Sequence, residues 1–266
     1  MLNEYDFKSI FKNELNYFIK FKRSLGFKHE NEISRLKRID NILFNLKLKK
    51  KQITKETFYK LTERNNMKDG NYARQYSVTK DFCKFLISYE YKNIFYEDKS
   101  FKINNNYIPT IFNDDEINIL FLTMDSYFKK FIGKKSYKIY YIYSILFRLI
   151  YACGLRVSEV IKINLEDINF TENTIQITDS KNNVSRLVVF STTMKECIET
   201  YIKLFNIEKG LLFSNLRNNQ IQSTSLRKYY KSILTISKIN KSSHIHDLRH
   251  CFCNKAFNQM LQKGYD

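Results

Sequence analysis

Pro109 is the only proline in this 266-residue chain, and the chain holds just six glycines, so its backbone meets few enforced breaks and is free to run in long helices. Over residues 1 to about 95 apolar residues recur at three- and four-residue steps, the period of a helix with one buried face. Phe7, Ile10, Phe11, Leu15, Phe18 and Ile19 mark a first helix that ends near Gly26. Ile33, Leu36, Ile39, Leu43 and Leu46 mark a second, Thr54 opens a shorter third, and Tyr72, Tyr76, Phe82, Cys83, Leu86 and Ile87 line a fourth. A four-helix domain is expected over residues 1–100. The stretch from Phe95 to Pro109, with Asn104, Asn105 and Asn106, is polar and aperiodic and reads as a linker.

A second domain is expected over residues 107–266. Asn113 with Glu116 three residues on has the spacing of a capping box and starts a helix. Tyr137 to Ala152 reads as an apolar helix broken by Gly154, and Val157 to Ile163 as another helical segment. Thr174 to Thr178 and Arg186 to Phe190 are short β-type runs around Asp-Ser-Lys-Asn-Asn, which is hairpin chemistry and puts Lys181 on the turn. Thr193 to Phe205, Ser225 to Ser237 and His246 to Leu261 read as helices. The fold class expected is mostly α, with one small antiparallel sheet in the second domain.

A formal charge of +18 points to a polyanionic partner, because Lys and Arg release counterions when they meet nucleic acid. The competing reading of the same excess is an AT-rich genome, which favours Lys and Asn codons. Lys47, Lys49, Lys50 and Lys51 form a charge run that reads equally as a DNA contact or a solvated face. Five cysteines at irregular positions do not make a disulfide framework, the N-terminus lacks the basic start of an export signal, and Ser144 and Arg148 interrupt the longest apolar run. A cytoplasmic protein without a membrane span is expected.

Arg156, in Gly-Leu-Arg-Val-Ser-Glu, and Arg249, in His-Asp-Leu-Arg-His, are a pair of guanidinium groups suited to clamping one phosphate, since each stays charged and donates two parallel hydrogen bonds. Phosphate transfer on DNA without a metal also needs protons to move. His246 could exchange one with an attacking hydroxyl, and Lys181, the only lysine between Lys162 and Lys195, could deliver one to a leaving oxygen. Glu159 reads as a local partner that orients a neighbour, not as a base. A zinc site is the competing reading of the same helix, because His246, His250 and Cys253 share one face, with His244 and Cys251 nearby.

These segments resemble the tyrosine site-specific recombinases, the phage integrase family. Gly154, Leu155, Arg156, Ser158 and Glu159 match its first arginine motif, and His246, Arg249 and His250 match its His-x-x-Arg motif. The family's glycine-flanked hairpin motif is matched only at Lys181 and Arg186. The resemblance implies a helical, SAM-like core-binding domain followed by an α+β catalytic domain, closing as a C-shaped clamp on double-stranded DNA. It implies cutting and rejoining at specific sites through a phosphotyrosine intermediate, for integration or excision of a mobile element, without metal or other cofactor, in a tetramer assembled on DNA. Arg156 and Arg249 would bind the scissile phosphate, Lys181 would be the general acid, and His246 would assist the nucleophile. The family's Leu-Gly-His segment and tyrosine nucleophile follow at a spacing this sequence does not reach, and Tyr265 is the only tyrosine after Arg249. A chain ending at Asp266 is therefore expected to bind DNA without cleaving it, and the alternative expectation is a non-catalytic regulator that occupies recombination sites.

Overall fold

The structure is a computed structural model that describes residues 5–27, 32–102, 107–178, 185–239 and 241–264. The chain divides into two compact units, Met1–Asn106 and Tyr107–Asp266.

The first unit is helical: α1 (Lys12–Ser24), α2 (Ile33–Asn45), α3 (Lys55–Leu61) and α4 (Asp69–Ser88). Leu15, Phe18 and Ile19 on α1 and Leu36, Ile39 and Leu43 on α2 are buried at the three- and four-residue steps that put them on one face. They close on Phe58, Leu61, Phe82 and Leu86 of α3 and α4. The residues ahead of α1 are held by a buried carboxylate: Asp40 on α2 accepts the backbone N–H groups of Lys8 and Ser9, each at 2.8 Å. Thr54 caps α3 by accepting the Thr57 N–H at 3.2 Å. Lys51, from the charge run, is not a free surface cation, since it lies 2.6 Å from Glu14, which also accepts the Tyr91 hydroxyl.

The stretch expected to be a linker is anchored at both ends. Phe95 pairs its N–H with Ile53, and Phe101 packs 5.0 Å from the ring of Tyr76 in the first unit. Tyr107 and Thr110 are hydrogen-bonded within the second unit. The boundary between the two units falls within this stretch, and Asn104, Asn105 and Asn106 lie outside the described residues.

The second unit is built around α6 (Tyr137–Cys153), with α5 (Asp114–Lys129), α8 (Thr192–Phe205) and α10 (Ile245–Gln262) packed on it and α9 (Ser223–Ile236) against α5. Ile142, Leu146, Phe147 and Leu149 of α6 are fully buried, which is why its sequence is apolar on nearly every side. Arg148 escapes the apolar surroundings by pairing with Asp125 of α5 at 2.8 Å. Among the described residues no helix is long and apolar enough to cross a membrane. The capping box at the start of α5 is present, with Asn113 and Glu116 exchanging side-chain to backbone bonds at 2.8 and 2.9 Å.

The sheet is antiparallel in the order β1 (Ile168–Asn169), β2 (Thr174–Ile177), β3 (Arg186–Val189). The short first strand gives too few residues to show a period of two and is invisible in sequence. The helical segment expected from Val157 to Ile163 is only α7 (Val157–Val160), followed after a turn by a 3₁₀ turn at Leu165–Asp167. The chain leaves the helix there because backbone groups of Ile163 and Leu165 bond to Leu212 and Gly210 instead.

α6 stops at Gly154, whose φ of 60° and ψ of 30° lie in the left-handed region. A Cβ at this position would fall 2.3 Å from the ring of Phe252 on α10. Glycine thus serves two needs, the reversal of the chain and the close approach of α10. Gly154→Ala should cost roughly 2–4 kcal/mol of unfolding free energy, combining left-handed strain and overpacking. In urea titration, Phe252→Leu introduced alongside it should restore part of the loss and no more, since it relieves the clash but not the strain.

Candidate functional site

Immediately beyond Gly154 the chain turns into α7, and Arg156 occupies the position before its first residue with extended backbone angles. Its N–H donates to Glu159 Oε2 at 2.8 Å and its guanidinium Nη1 to Glu159 Oε1 at 2.7 Å. Glu159 holds a second arginine as well. Arg186 donates Nη1 to Oε1 at 3.0 Å and Nη2 to Oε2 at 2.7 Å, the parallel two-bond fork of a guanidinium on a carboxylate.

Strand register explains how Arg186 gets there. It pairs with Ile177 across β2 and β3, and directly opposed residues point to the same face. Ile177 is buried, so Arg186 is turned inward while its neighbour Leu187 is exposed. The Glu159 side chain is only 1% exposed. Burial alone would push its pKa up, but the bonds from Arg186, from the Arg156 N–H and from the Arg156 guanidinium prevail and hold it down at about 2. One buried carboxylate therefore ties the first arginine motif to the base of the hairpin.

The second arginine motif reaches the same place from α10. Arg249 Nη1 donates to the carbonyl of Gly154, two residues before Arg156. His246, one turn earlier on α10, stacks edge to face with His250 at a centroid distance of 5.2 Å. Its pKa is lowered, first by burial and then by the positive charges of His250, Arg249 and Arg156. The direction favours a neutral imidazole near neutral pH, able to accept a proton.

Arg156, Ser158, Arg227, Lys231, His244 and His246 line an open cleft of about 750 Å³. Its charged walls are all basic, and Arg156 of the first motif and His246 of the second both line it. Lys181 and Tyr265 lie outside the described residues. For zinc, Cys253 is exposed, and among the described residues no group of three His, Cys, Asp or Glu side chains is gathered closely enough to hold a metal ion.

Three features of the site carried weaker sequence signals. Arg186 matched a hairpin pattern, but nothing in the sequence paired it with Glu159 across 27 residues. Arg227 and Lys231 are four apart on α9 and so share a face, a pattern common to ordinary solvated helices. Tyr107 meets Asp247 across 140 residues, with no local signal at all.

Because the pKa of Glu159 lies below the ordinary 4.5, its ion pairs stabilise the fold fully above about pH 5, and that contribution is lost as pH falls through about 2. Glu159→Gln should cost roughly 3 kcal/mol at neutral pH, since it leaves two arginines facing a neutral amide. Its stability measured by denaturant at successive acid pH values should also fall less steeply than that of the wild type. Equal slopes would show that Glu159 is not the carboxylate carrying the acid response.

Comparison with known proteins agrees with this geometry. The profile of the phage integrase family matches residues 113–266. A tyrosine recombinase XerC of Staphylococcus carnosus is 27% identical over 164 residues, covering 60% of this chain and 51% of that protein. A XerC of Staphylococcus aureus strain MSSA476 is 25% identical over 233 residues, covering 83% of this chain and 75% of its own length. The match thus spans about half of one relative and three quarters of the other. Among solved structures, a lambda integrase dimer bound to a COC′ core site superposes with a TM-score of 0.62 at 16% identity, covering 93% of this chain and 90% of that one, which establishes a common fold. With Arg249 of the second arginine motif bonded to Gly154 of the first and its second unit matched from Asn113 onward, the chain belongs to the phage integrase family, the tyrosine recombinases.

Proposed function

We propose that this protein binds double-stranded DNA and serves site-specific recombination, the cutting and rejoining of strands through a phosphotyrosine intermediate, in the integration or excision of a mobile element. The observation that carries the reading is the convergence of Arg156 and His246 on one basic cleft, with Arg249 bonded to the carbonyl of Gly154 beside them. Two guanidinium groups fixed before substrate arrives suit the extra negative charge of a phosphoryl-transfer transition state, and they spend no free energy on reorganisation as it forms.

In this reading Arg156 and Arg249 bind the non-bridging oxygens of the scissile phosphate. Glu159 orients Arg156 without neutralising the site, because Arg186 offsets its charge. His246, kept neutral by burial and by neighbouring cations, takes a proton from the attacking hydroxyl. Lys181 on the hairpin protonates the leaving oxygen, and Arg186 fixes the base of that hairpin. No metal or other cofactor is required, since the phosphotyrosine conserves the energy of the broken bond. Residues 1–100 form a core-binding domain that supplies further backbone contacts, with Lys47, Lys49 and Lys50 as candidates. Assembly of several copies on DNA accords with the family, in which the lambda integrase neighbour is a dimer on its core site.

Duplexes selected from a random pool by binding, then nicked and offered to the full-length gene product, test this. A covalent protein–DNA adduct should form, and Arg156→Ala or Arg249→Ala should abolish it. Each substitution should also weaken duplex binding by about 1–3 kcal/mol, while log affinity falls linearly with log salt. Binding without any adduct would favour a regulator that occupies sites, and no binding at low salt would sink both readings.

A further inference from the structure

At the mouth of the cleft a second histidine is held by groups that take no part in the chemistry described so far. Asp247 is completely buried, and its carboxylate accepts from three donors. These are the His244 N–H at 2.8 Å, the Ser243 hydroxyl at 3.1 Å, and the Tyr107 hydroxyl, whose single proton is shared between both oxygens and whose oxygen lies 2.5 Å from Oδ2. The same Tyr107 oxygen lies 3.1 Å from Nδ1 of His244, whose ring stands edge-on to Tyr107 at 5.0 Å. Burial, then the bond to Asp247, push the Tyr107 pKa up, so the hydroxyl keeps its proton.

The hydrogen-bond arithmetic of this chain has one solution. A tyrosine hydroxyl has a single proton, and the acceptor-only carboxylate takes it. Its oxygen can then only accept from His244, so Nδ1 carries a proton. Histidine held through Nδ1 leaves Nε2 as its working nitrogen. His244 is an exposed residue lining the same cleft as Arg156 and His246.

We propose that His244 is a further DNA-phosphate contact of this cleft, held by Tyr107 and Asp247 so that Nε2 takes up a proton from water as DNA binds and donates it in a hydrogen bond to a phosphate oxygen. This rests on the DNA-binding reading above. The titratable and charged groups around His244 are Tyr107, bonded to its ring, Asp247, bonded to its N–H, and Arg156, Arg227, Tyr230, Lys231 and His246, which line the same cleft. A bound phosphodiester supplies negative charge beside this ring, which favours its doubly protonated form.

The chain has four histidines, few enough for each imidazole to be followed by nitrogen-15 NMR. In free protein at about pH 8 His244 should be the Nδ1-protonated tautomer, and Tyr107→Phe should shift it towards the ordinary Nε2-protonated form. Addition of a short duplex should protonate both nitrogens of His244. His244→Ala should weaken binding about tenfold near pH 6, with little effect near pH 8, where proton uptake is costly. If the wild type binds duplex but His244 keeps its free-state tautomer, or if His244→Ala binds equally well near pH 6, the proposal is overturned while the DNA-binding reading stands. If the wild type binds no duplex at all, the DNA-binding reading fails and takes this contact with it, whatever the tautomer.

Discussion

The second unit depends on a carboxylate that cannot leave its place. Glu159 is buried with both oxygens occupied, and the three bonds from guanidinium groups together with the Arg156 N–H define where α7, β3 and Arg156 stand relative to each other. A buried ion pair is a poor source of net stability, because desolvation consumes most of the attraction. What it provides instead is placement, since an unpaired charge at this depth is so costly that alternative arrangements are excluded. The arrangement suits a site whose task is to present guanidinium groups at fixed positions to a phosphate. Arg186 is as much a part of that arrangement as Arg156, since without it the carboxylate would have Arg156 alone to face and would draw it inward.

The second constraint is steric. Gly154 allows the phenyl ring of Phe252 to sit where any side chain would collide, and the carbonyl of the same residue accepts Arg249. The turn that ends α6 therefore also fixes the distance between the two arginine motifs. Glycine in the first motif and arginine in the second are two halves of one contact, although 95 residues separate them. That is why the His-x-x-Arg helix, α10, can be placed against α6 by apolar packing and still bring a charged group to the cleft. The cleft is basic because packing and turn geometry bring its charges together there.

Helical periodicity made most of the fold readable in sequence. α1, α2, α4, α6 and α10 each bury a regular face, and the hairpin was flagged by β-type runs around a polar turn. Periodicity failed where an element is too short to have a period, as for β1, and where tertiary bonds interrupt a helix, as after α7. The boundary between the two units falls inside the stretch read as a linker, and what local composition could not reveal is that Phe95, Phe101 and Tyr107 on its flanks are anchored by partners far away in sequence. In the site, Arg156, His246 and Arg249 were legible because each lies in a motif, and the structure brings Arg156 and His246 to one cleft with Arg249 bonded to Gly154 beside them. Glu159 was read as orienting a neighbour, which its bonds to Arg156 and Arg186 now make concrete. Its pairing with Arg186 and the Tyr107–Asp247 pair arise only from long-range folding, and no motif announces either pairing.

That division between local and long-range signals has a physical consequence for how the site is assembled. The groups with motifs are those that would face the phosphate, and their chemistry narrows the choice to guanidinium and imidazole. The groups without motifs hold these in place, and their role can be met by any side chain of suitable shape and charge from whichever element lies nearby. Tyr107 illustrates this, since it enters from the start of the second unit and supplies only a hydroxyl to a buried carboxylate and a histidine ring. The first few residues after the unit boundary are thus tied directly to the N-terminus of the helix that carries His246 and Arg249. Any strain on that segment would be felt first at Asp247, and through it at the start of α10, before it reached the apolar core.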